Sequence, residues 1–146
     1  MTREGRLGRL LRLRRHERDM AALAMRHAQD RAMEADAAAQ TARERRDEAE
    51  RRLAQAAGRP QSVEEFLQGR FEVLERLDQE RLQDLQARRM HRALALRRTD
   101  LRRAMVREEQ IRHLGEGERR REQAAGFQSE QKALDDLRRE EASKPW

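Results

Sequence analysis

The sequence has no cysteine, no tyrosine and only two prolines, and aromatic residues make up 3% of its 146 residues. Without cysteine the chain forms no disulfide and offers no thiol for catalysis or for binding zinc, which fits a reducing compartment. Large apolar side chains supply most of the stabilisation of a globular core, whereas the apolar residues here are mostly alanine and leucine, which suit a helix seam. Disorder also shows low hydropathy and many charges, but it is usually richer in proline, glycine and serine. The composition therefore predicts long helices rather than a compact globule or a disordered chain.

Membrane and secretion signals are also missing. There is no apolar run of 18 residues, and the first 18 residues contain many arginines rather than the apolar core of a signal peptide. The sequence predicts a soluble, cytoplasmic protein.

Charged residues make up 42% of the chain, with 34 basic and 28 acidic groups and a net charge of +6. The two signs are interleaved at helical spacing, which is typical of a solvated, salt-bridged helix face rather than a catalytic site. Gly115 and Gly117 lack the spacing and the following Lys-Ser/Thr of a phosphate-binding loop. His27 and His91 are predicted to lie side by side between two helices, but no third ligand accompanies them. We expect neither an enzyme nor a cofactor, metal or small-molecule site.

A seven-residue repeat dominates the first part of the chain. Between residues 3 and 57 no proline occurs, and alanine recurs at exact seven-residue steps, with Ala24, Ala38, Met25, Ala32, Ala39 and Leu53 widening the same stripe. The repeated positions are Ala21, Ala28, Ala35, Ala42, Ala49 and Ala56. A sustained seven-residue repeat keeps one helix face turned toward a partner helix.

A turn is predicted at residues 58–62. Gly58 can adopt the left-handed conformation that ends a helix, and Pro60 cannot continue one. Ser62 and Glu65 have the spacing of a capping box, which begins a new helix. Short connections between helices favour antiparallel packing.

The second helix is predicted over residues 63–114, with a possible kink at 115–117, a helix over 118–141 and a frayed tail at 142–146. Its larger apolar residues are predicted to face the alanines of the first helix: Leu67, Phe71, Leu74, Leu77, Leu82, Leu85, Leu94, Leu101 and Met105. A further apolar series follows at Ala124, Phe127, Leu134 and Leu137. The sequence predicts one all-α domain over residues 1–146, a long antiparallel two-helix coiled-coil hairpin with a C-terminal helical extension.

The amino end from Arg6 to Arg15 is basic and amphipathic. Such a stretch can lie on an anionic membrane or follow phosphates, but the first turns of a coiled coil are the favoured interpretation because Glu17 and Asp19 restore the charge balance. Nucleic-acid binding is disfavoured by the lack of aromatic residues for base stacking and of any recognised reader motif.

Three segments of the sequence are similar to the FliJ family of flagellar protein-export components. The run from Leu10 to Ala21 resembles the opening of that family, with its leucines followed by arginine and mixed charges. The cluster Phe66, Leu67, Phe71, Val73 and Leu74 is similar to the aromatic and leucine stretch that begins its second helix. The segment Glu130-Gln131-Lys132-Ala133-Leu134-Asp135-Asp136-Leu137 looks like its C-terminal signature and is the most specific of the three.

This resemblance implies a hairpin similar to the coiled coil of the rotary-ATPase gamma subunit, acting as a stalk in type III protein export and needed for motility. The implied partners are a hexameric export ATPase, the cytoplasmic domain of the export gate and export chaperones, with peripheral association at the inner membrane. The implied gate contacts are Leu67, Phe71, Leu74 and Leu77. Asp78 stands where that family has a different polar residue. Equally, this cluster could pack on Leu53 and Ala56.

The implied contacts with the ATPase ring fall at the two ends of the chain. The candidates are Leu10 and Leu13 in the amino end and Gln131, Leu134 and Leu137 near the carboxyl end. Three alternatives remain: a YscO-like injectisome stalk, a basic nucleic-acid-associated coiled coil, and a self-associating structural coiled coil.

Overall fold

A computed structural model of the protein describes residues 2–144. Helix α1 spans Arg3–Ala57, with 55 residues, and helix α2 spans Val63–Ser143, with 81 residues. Within residues 2–144 there is no strand, and the two helices pack against each other. The all-α hairpin predicted from the sequence is confirmed.

Contacts divide the chain into two compact units. The first, called the turn unit, comprises Met20–Arg102 and contains the connection between the helices. The second, called the terminal unit, combines residues 1–19 of the chain with residues 103–146.

The connection between α1 and α2 occupies residues 58–62. The backbone N–H groups of Gly58 and Arg59 donate to the carbonyls of Gln55 and Ala56, at 3.3 and 3.1 Å. Both hydrogen bonds join residues that are three apart, as in a 3-10 helix, and so they tighten the end of α1. No glycine of the described residues has a positive φ, so the predicted left-handed ending at Gly58 is wrong.

Ser62 caps the start of α2, and this is one of the two hydrogen bonds that a capping box predicts. The Ser62 hydroxyl accepts from the Glu65 backbone N–H at 3.2 Å. The start of α1 is also capped, at a position that the sequence did not predict: Thr2 Oγ1 accepts from the Gly5 backbone N–H at 3.2 Å. Each cap satisfies a backbone donor that the first helical turn leaves without an intrahelical partner.

Alanine forms the α1 side of the seam in the turn unit. The buried residues of α1 are Ala32, Ala35, Ala39, Ala42 and Ala49. Three of these belong to the seven-residue series, and the other two belong to the stripe beside it. Because alanine has a single methyl group, the seam buries little area per residue.

The α2 side of the seam differs from the prediction. Ala87 and Leu94 are buried, at 8% and 4% exposure, and Met90 packs against the cluster of Ala35, Ala39 and Ala87. Most of the bulky residues predicted to face α1 are instead exposed: Leu67, Phe71, Leu74, Leu82, Leu85 and Met105. The side of α2 that packs against the alanines of α1 carries Ala87, Met90 and Leu94.

The pairing register also differs from the prediction. His91 Nε2 lies 2.9 Å from an Asp36 carboxylate oxygen, so His91 is opposite Asp36 rather than His27. Further pairs between the helices repeat this offset: Arg43 with Asp84 at 2.9 Å, Arg46 with Glu80 at 3.1 Å and Arg52 with Glu72 at 3.4 Å. The predicted alignment was wrong by about two helical turns.

In the terminal unit, α2 continues past the start of α1. Arg3 pairs with Glu118 at 3.0 Å, and every side chain from Arg119 to Lys144 is exposed. Helix α2 is unbroken through Gly115 and Gly117, so the possible break at 115–117 is not found, and the helix extends past the predicted end to Ser143. Two glycines cost about 2 kcal/mol of helix propensity but create no steric obstacle to the helix. The last two residues of the predicted tail lie outside the described residues.

Substituting alanine at Gly115 or Gly117 is expected to stabilise the terminal unit by about 0.5–1 kcal/mol each, because alanine is the better helix former. A Cβ added at either position meets no atom within 4 Å. Urea unfolding followed by helical circular dichroism measures the gain. Gly69→Ala is the control: its Cβ would lie 3.1 Å from Leu53 Cδ1, so the gain there should be smaller. Destabilisation at Gly115 or Gly117 would contradict the unbroken helix.

Candidate protein-binding surfaces

A row of exposed apolar side chains runs along the first half of α2. Leu67, Phe71 and Leu74 are 55%, 70% and 55% exposed, and Leu82 and Leu85 are 66% and 46% exposed. Residues spaced three or four apart share one helix face. These five residues are called the outer stripe.

The outer stripe lies on the side of α2 that faces away from α1. Gly69 and Ala87 mark the inner side, since a Cβ at Gly69 would approach Leu53 and Ala87 is buried. Phe71 and Leu85 are each two positions from one of these residues, about 200° around the helix. Packing of the stripe on Leu53 and Ala56, the alternative drawn from the sequence, does not fit this placement. Exposed apolar side chains clustered on one face commonly mark a protein-binding site.

Not all the predicted gate residues belong to this face. Leu77 is partly buried and lies nearer the seam, and the exposed Asp78 interrupts the stripe. Leu82 and Leu85, which the apolar pattern of the sequence places in the seam, are exposed. Their helical phase relative to Leu67 and Leu74 was the signal that places them with the outer stripe.

Charged residues of opposite sign border the outer stripe. Helical positions place the exposed residues Arg70, Arg81 and Arg88 along one edge, and the exposed residues Glu64 and Glu75 along the other. A complementary partner would therefore present acidic groups on one side of an apolar ridge and basic groups on the other. Such complementarity contributes to orientation and association rate more than to affinity.

A second exposed apolar face lies on α2 residues 119–143, called the arm. Phe127, Leu134 and Leu137 are 73%, 52% and 57% exposed. Gln131 Nε2 donates to Asp135 Oδ1 at 3.4 Å along the same helix. Most of the stability of a helix in a protein comes from packing of its apolar face, and the arm packs against no other helix of the described chain. The arm is therefore expected to gain stability when a partner covers its apolar face.

The amino-terminal candidates occupy different environments. Leu10 is partly buried, whereas Leu13 is 50% exposed. Nearby, Leu7, Leu11 and Ile111 line an open groove beside Gly115. Leu13 is thus the more accessible of the two predicted contacts.

Glu108 is a buried charged residue at the helix interface of the terminal unit. Its side chain is 4% exposed and accepts from Arg18 Nη1 at 2.7 and 2.8 Å and from Arg112 Nη2 at 2.8 Å. Arg15 Nε lies 3.6 Å away. Removing a charge from water costs several kcal/mol, which these charge-assisted contacts offset. The hydrogen bond to Asp19, together with the charges of Glu108 and Asp19, raises the pKa of Arg18 against the opposing effect of burial.

Within residues 2–144, no group of three or more histidine or acidic side chains is arranged to hold a metal ion. His91 pairs with Asp36, and His27 lies in an open groove with Met90 and Arg97. The same residues contain no helix with the length and apolar character required to cross a membrane.

Comparisons with known proteins gave no family assignment. No protein-family model matches the chain, and no curated protein or solved structure is significantly similar to it.

Proposed function

We propose that this chain is a non-enzymatic stalk and escort of a bacterial flagellar type III export apparatus. In this role it links a hexameric export ATPase to the export gate and its chaperones. It works in the cytoplasm, held peripherally at the inner membrane by those partners.

The exposure of the outer stripe is the observation that carries this proposal. Leu67, Phe71 and Leu74 correspond to the gate contacts implied by the resemblance, and more than half of each side chain is exposed. Because α1 packs on the opposite side of α2, a gate domain could cover these residues without opening the hairpin. Exposed aromatic and leucine side chains are suited to fill pockets of a partner.

The arm supports the link to the ATPase. It carries the segment Glu130–Leu137, which is the most specific part of the resemblance, and every side chain of the arm is exposed. Leu134 and Leu137 offer apolar anchors, and Leu13 adds an exposed leucine at the start of α1. A helix with one free apolar face fits a groove or pore of a partner.

Direct binding tests this proposal. The purified chain is passed over the immobilised export ATPase of the same organism and, separately, over the cytoplasmic domain of its export gate. Binding to both, and loss of motility in a deletion strain that is restored by the intact gene, is expected. Binding to neither protein would refute the proposal. Duplex DNA is the control, since binding to it with a steep negative salt dependence would indicate a nucleic-acid-associated coiled coil instead.

A further inference from the structure

Four residues of the arm recur at exact seven-residue steps and share one helix face: Arg120, Phe127, Leu134 and Glu141. Phe127 and Leu134 are 73% and 52% exposed, and the two charged residues are exposed as well. Every side chain of the arm is exposed, so α1 does not cover this face. The face therefore has an apolar centre, a cation at its start and an anion at its end.

A second copy of the arm complements this face when it lies antiparallel. If Phe127 of one copy is level with Leu134 of the other, one seven-residue step outward brings Arg120 level with Glu141. Twofold symmetry repeats each of these contacts. The paired arms would thus have two phenylalanine–leucine contacts at the centre and an opposite-charge contact at each end.

Other pairings of two arms match these groups poorly. A parallel pair places Arg120 against Arg120 and Glu141 against Glu141, and like charges brought together across an interface are unfavourable. An antiparallel pair displaced by one heptad places Arg120 level with Leu134, or Glu141 level with Phe127. Such a pair loses its ion pairs and sets a charge against an apolar side chain. The charge pattern therefore favours one orientation and one register.

The length of the arm fits the same pairing. Residues 119–142 of each copy lie level with residues 119–142 of the other, over about 36 Å. Glu118, which pairs with Arg3 of α1, is level with Ser143 at the end of α2. Pairing of the arms thus ends where α1 begins to contact α2. The interface is small and contains few large apolar residues, so it suits a weak, reversible association.

We propose that the arm is a self-association site through which two copies of this chain pair antiparallel over residues 119–142. The pairing covers Leu134, which the proposed function assigns to the export ATPase, so a second copy and the ATPase exclude each other on this face. The inference does not rest on the proposed function. A chain that binds the ATPase but never dimerises would refute the pairing alone, and a dimer that binds neither ATPase nor gate would refute the function alone.

Sedimentation equilibrium of the full chain tests the proposal. The mean mass is expected to rise toward twice that of the monomer as the concentration increases from micromolar to near-millimolar values. Arg120→Glu and Glu141→Arg each place like charges at both ends of the pair, and each is expected to raise the dissociation constant about 10-fold. The two changes combined in one chain restore opposite charges in the antiparallel pair alone, and the dissociation constant should return to the parent value.

Arg139→Glu is the matched control for these charge reversals. Arg139 is exposed and lies about 140° around the helix from Leu134, so its reversal should leave self-association unchanged. A mass that stays monomeric at every concentration would overturn the proposal. So would association that ignores the Arg120 and Glu141 changes, or that the combined exchange fails to restore.

A spin label at Arg119→Cys tests the orientation, since the sequence has no other cysteine. In the proposed pair, residue 119 is level with residue 142 of the other copy, so the two labels of a dimer should be about 35 Å apart along the helix axis. A parallel pair would bring the labels side by side, and a shift of one heptad would change their separation by about 10 Å. Either of those two results would contradict the proposed pairing.

Discussion

Replacing Phe71 and Leu74 together by aspartate is expected to weaken binding to the cytoplasmic domain of the export gate by about 30-fold or more, as loss of an apolar anchor at the centre of an interface does. Both side chains lie on the outer stripe, away from α1, and they are 70% and 55% exposed. The helical content and unfolding midpoint should therefore change little. Titration calorimetry against the gate domain measures the affinity, and circular dichroism confirms the fold.

Met33→Asp is the matched control for this substitution. Met33 is 64% exposed in the same turn unit, but it lies on α1. It introduces the same charge on a similarly exposed apolar residue, and it should leave gate binding unchanged. Equal losses from Met33→Asp and from the Phe71 and Leu74 pair would show that the outer stripe is not the specific contact.

Replacing Leu134 and Leu137 together by glutamate is expected to lower the affinity for the export ATPase by about 30-fold or more. The two side chains are 52% and 57% exposed on the arm, where no residue of the described chain covers them. Their loss should therefore act on the partner contact rather than on the fold. Binding to the purified hexamer, measured by surface plasmon resonance, gives the affinity.

Ala125→Glu provides the control for the arm. Ala125 is exposed on the face of the helix opposite Phe127 and Leu134, about 160–180° around the axis. It should leave ATPase binding intact. The Leu134 and Leu137 variant should also retain gate binding, because the outer stripe belongs to the other unit. If that variant lost binding to both the ATPase and the gate domain, the arm and the outer stripe would not be separate binding sites.

Local signals in the sequence were sufficient to place the turn and the inward face of α1. Pro60 cannot continue α1 beyond the turn, Ser62 caps α2, and these effects depend only on neighbouring residues. The alanine repeat likewise identifies the buried face, because a helix bearing only methyl groups on one side has one face suited to close approach. These features need no knowledge of the partner helix.

The register could not be obtained in the same way. Alanines repeated every seven residues present nearly the same surface at each step, so several alignments of α2 would satisfy α1. Specific long-range pairs such as Asp36 with His91 and Arg46 with Glu80 distinguish them, and each partner is one charged residue among many. The size of residues such as Phe71 favours burial, so the sequence predicts them in the seam. The buried side of α2 instead contains Ala87 and Leu94.

Because the sequence does not fix the register, it does not show which of the candidate contact residues are exposed. Exposure of Leu67, Phe71, Leu74, Leu134 and Leu137 matches their proposed role as contacts, whereas Leu10 and Leu77 are partly buried. Glu108 gave no signal in the sequence, because its neighbours include acidic and basic residues like those found along the whole chain. Only the opposing helix identifies it as buried.

Pairing between α1 and α2 is the claim on which the separation of inner and outer faces depends. Two spin-labelled variants that share Arg43→Cys test it, one with Asp84→Cys and the other with Glu75→Cys. The observed register places Arg43 beside Asp84 at 2.9 Å, and Glu75 is displaced from that level by about 13 Å along α2. The 43/84 pair should give the shorter distance. A shorter distance for 43/75 would contradict the register and, with it, the outward placement of Phe71.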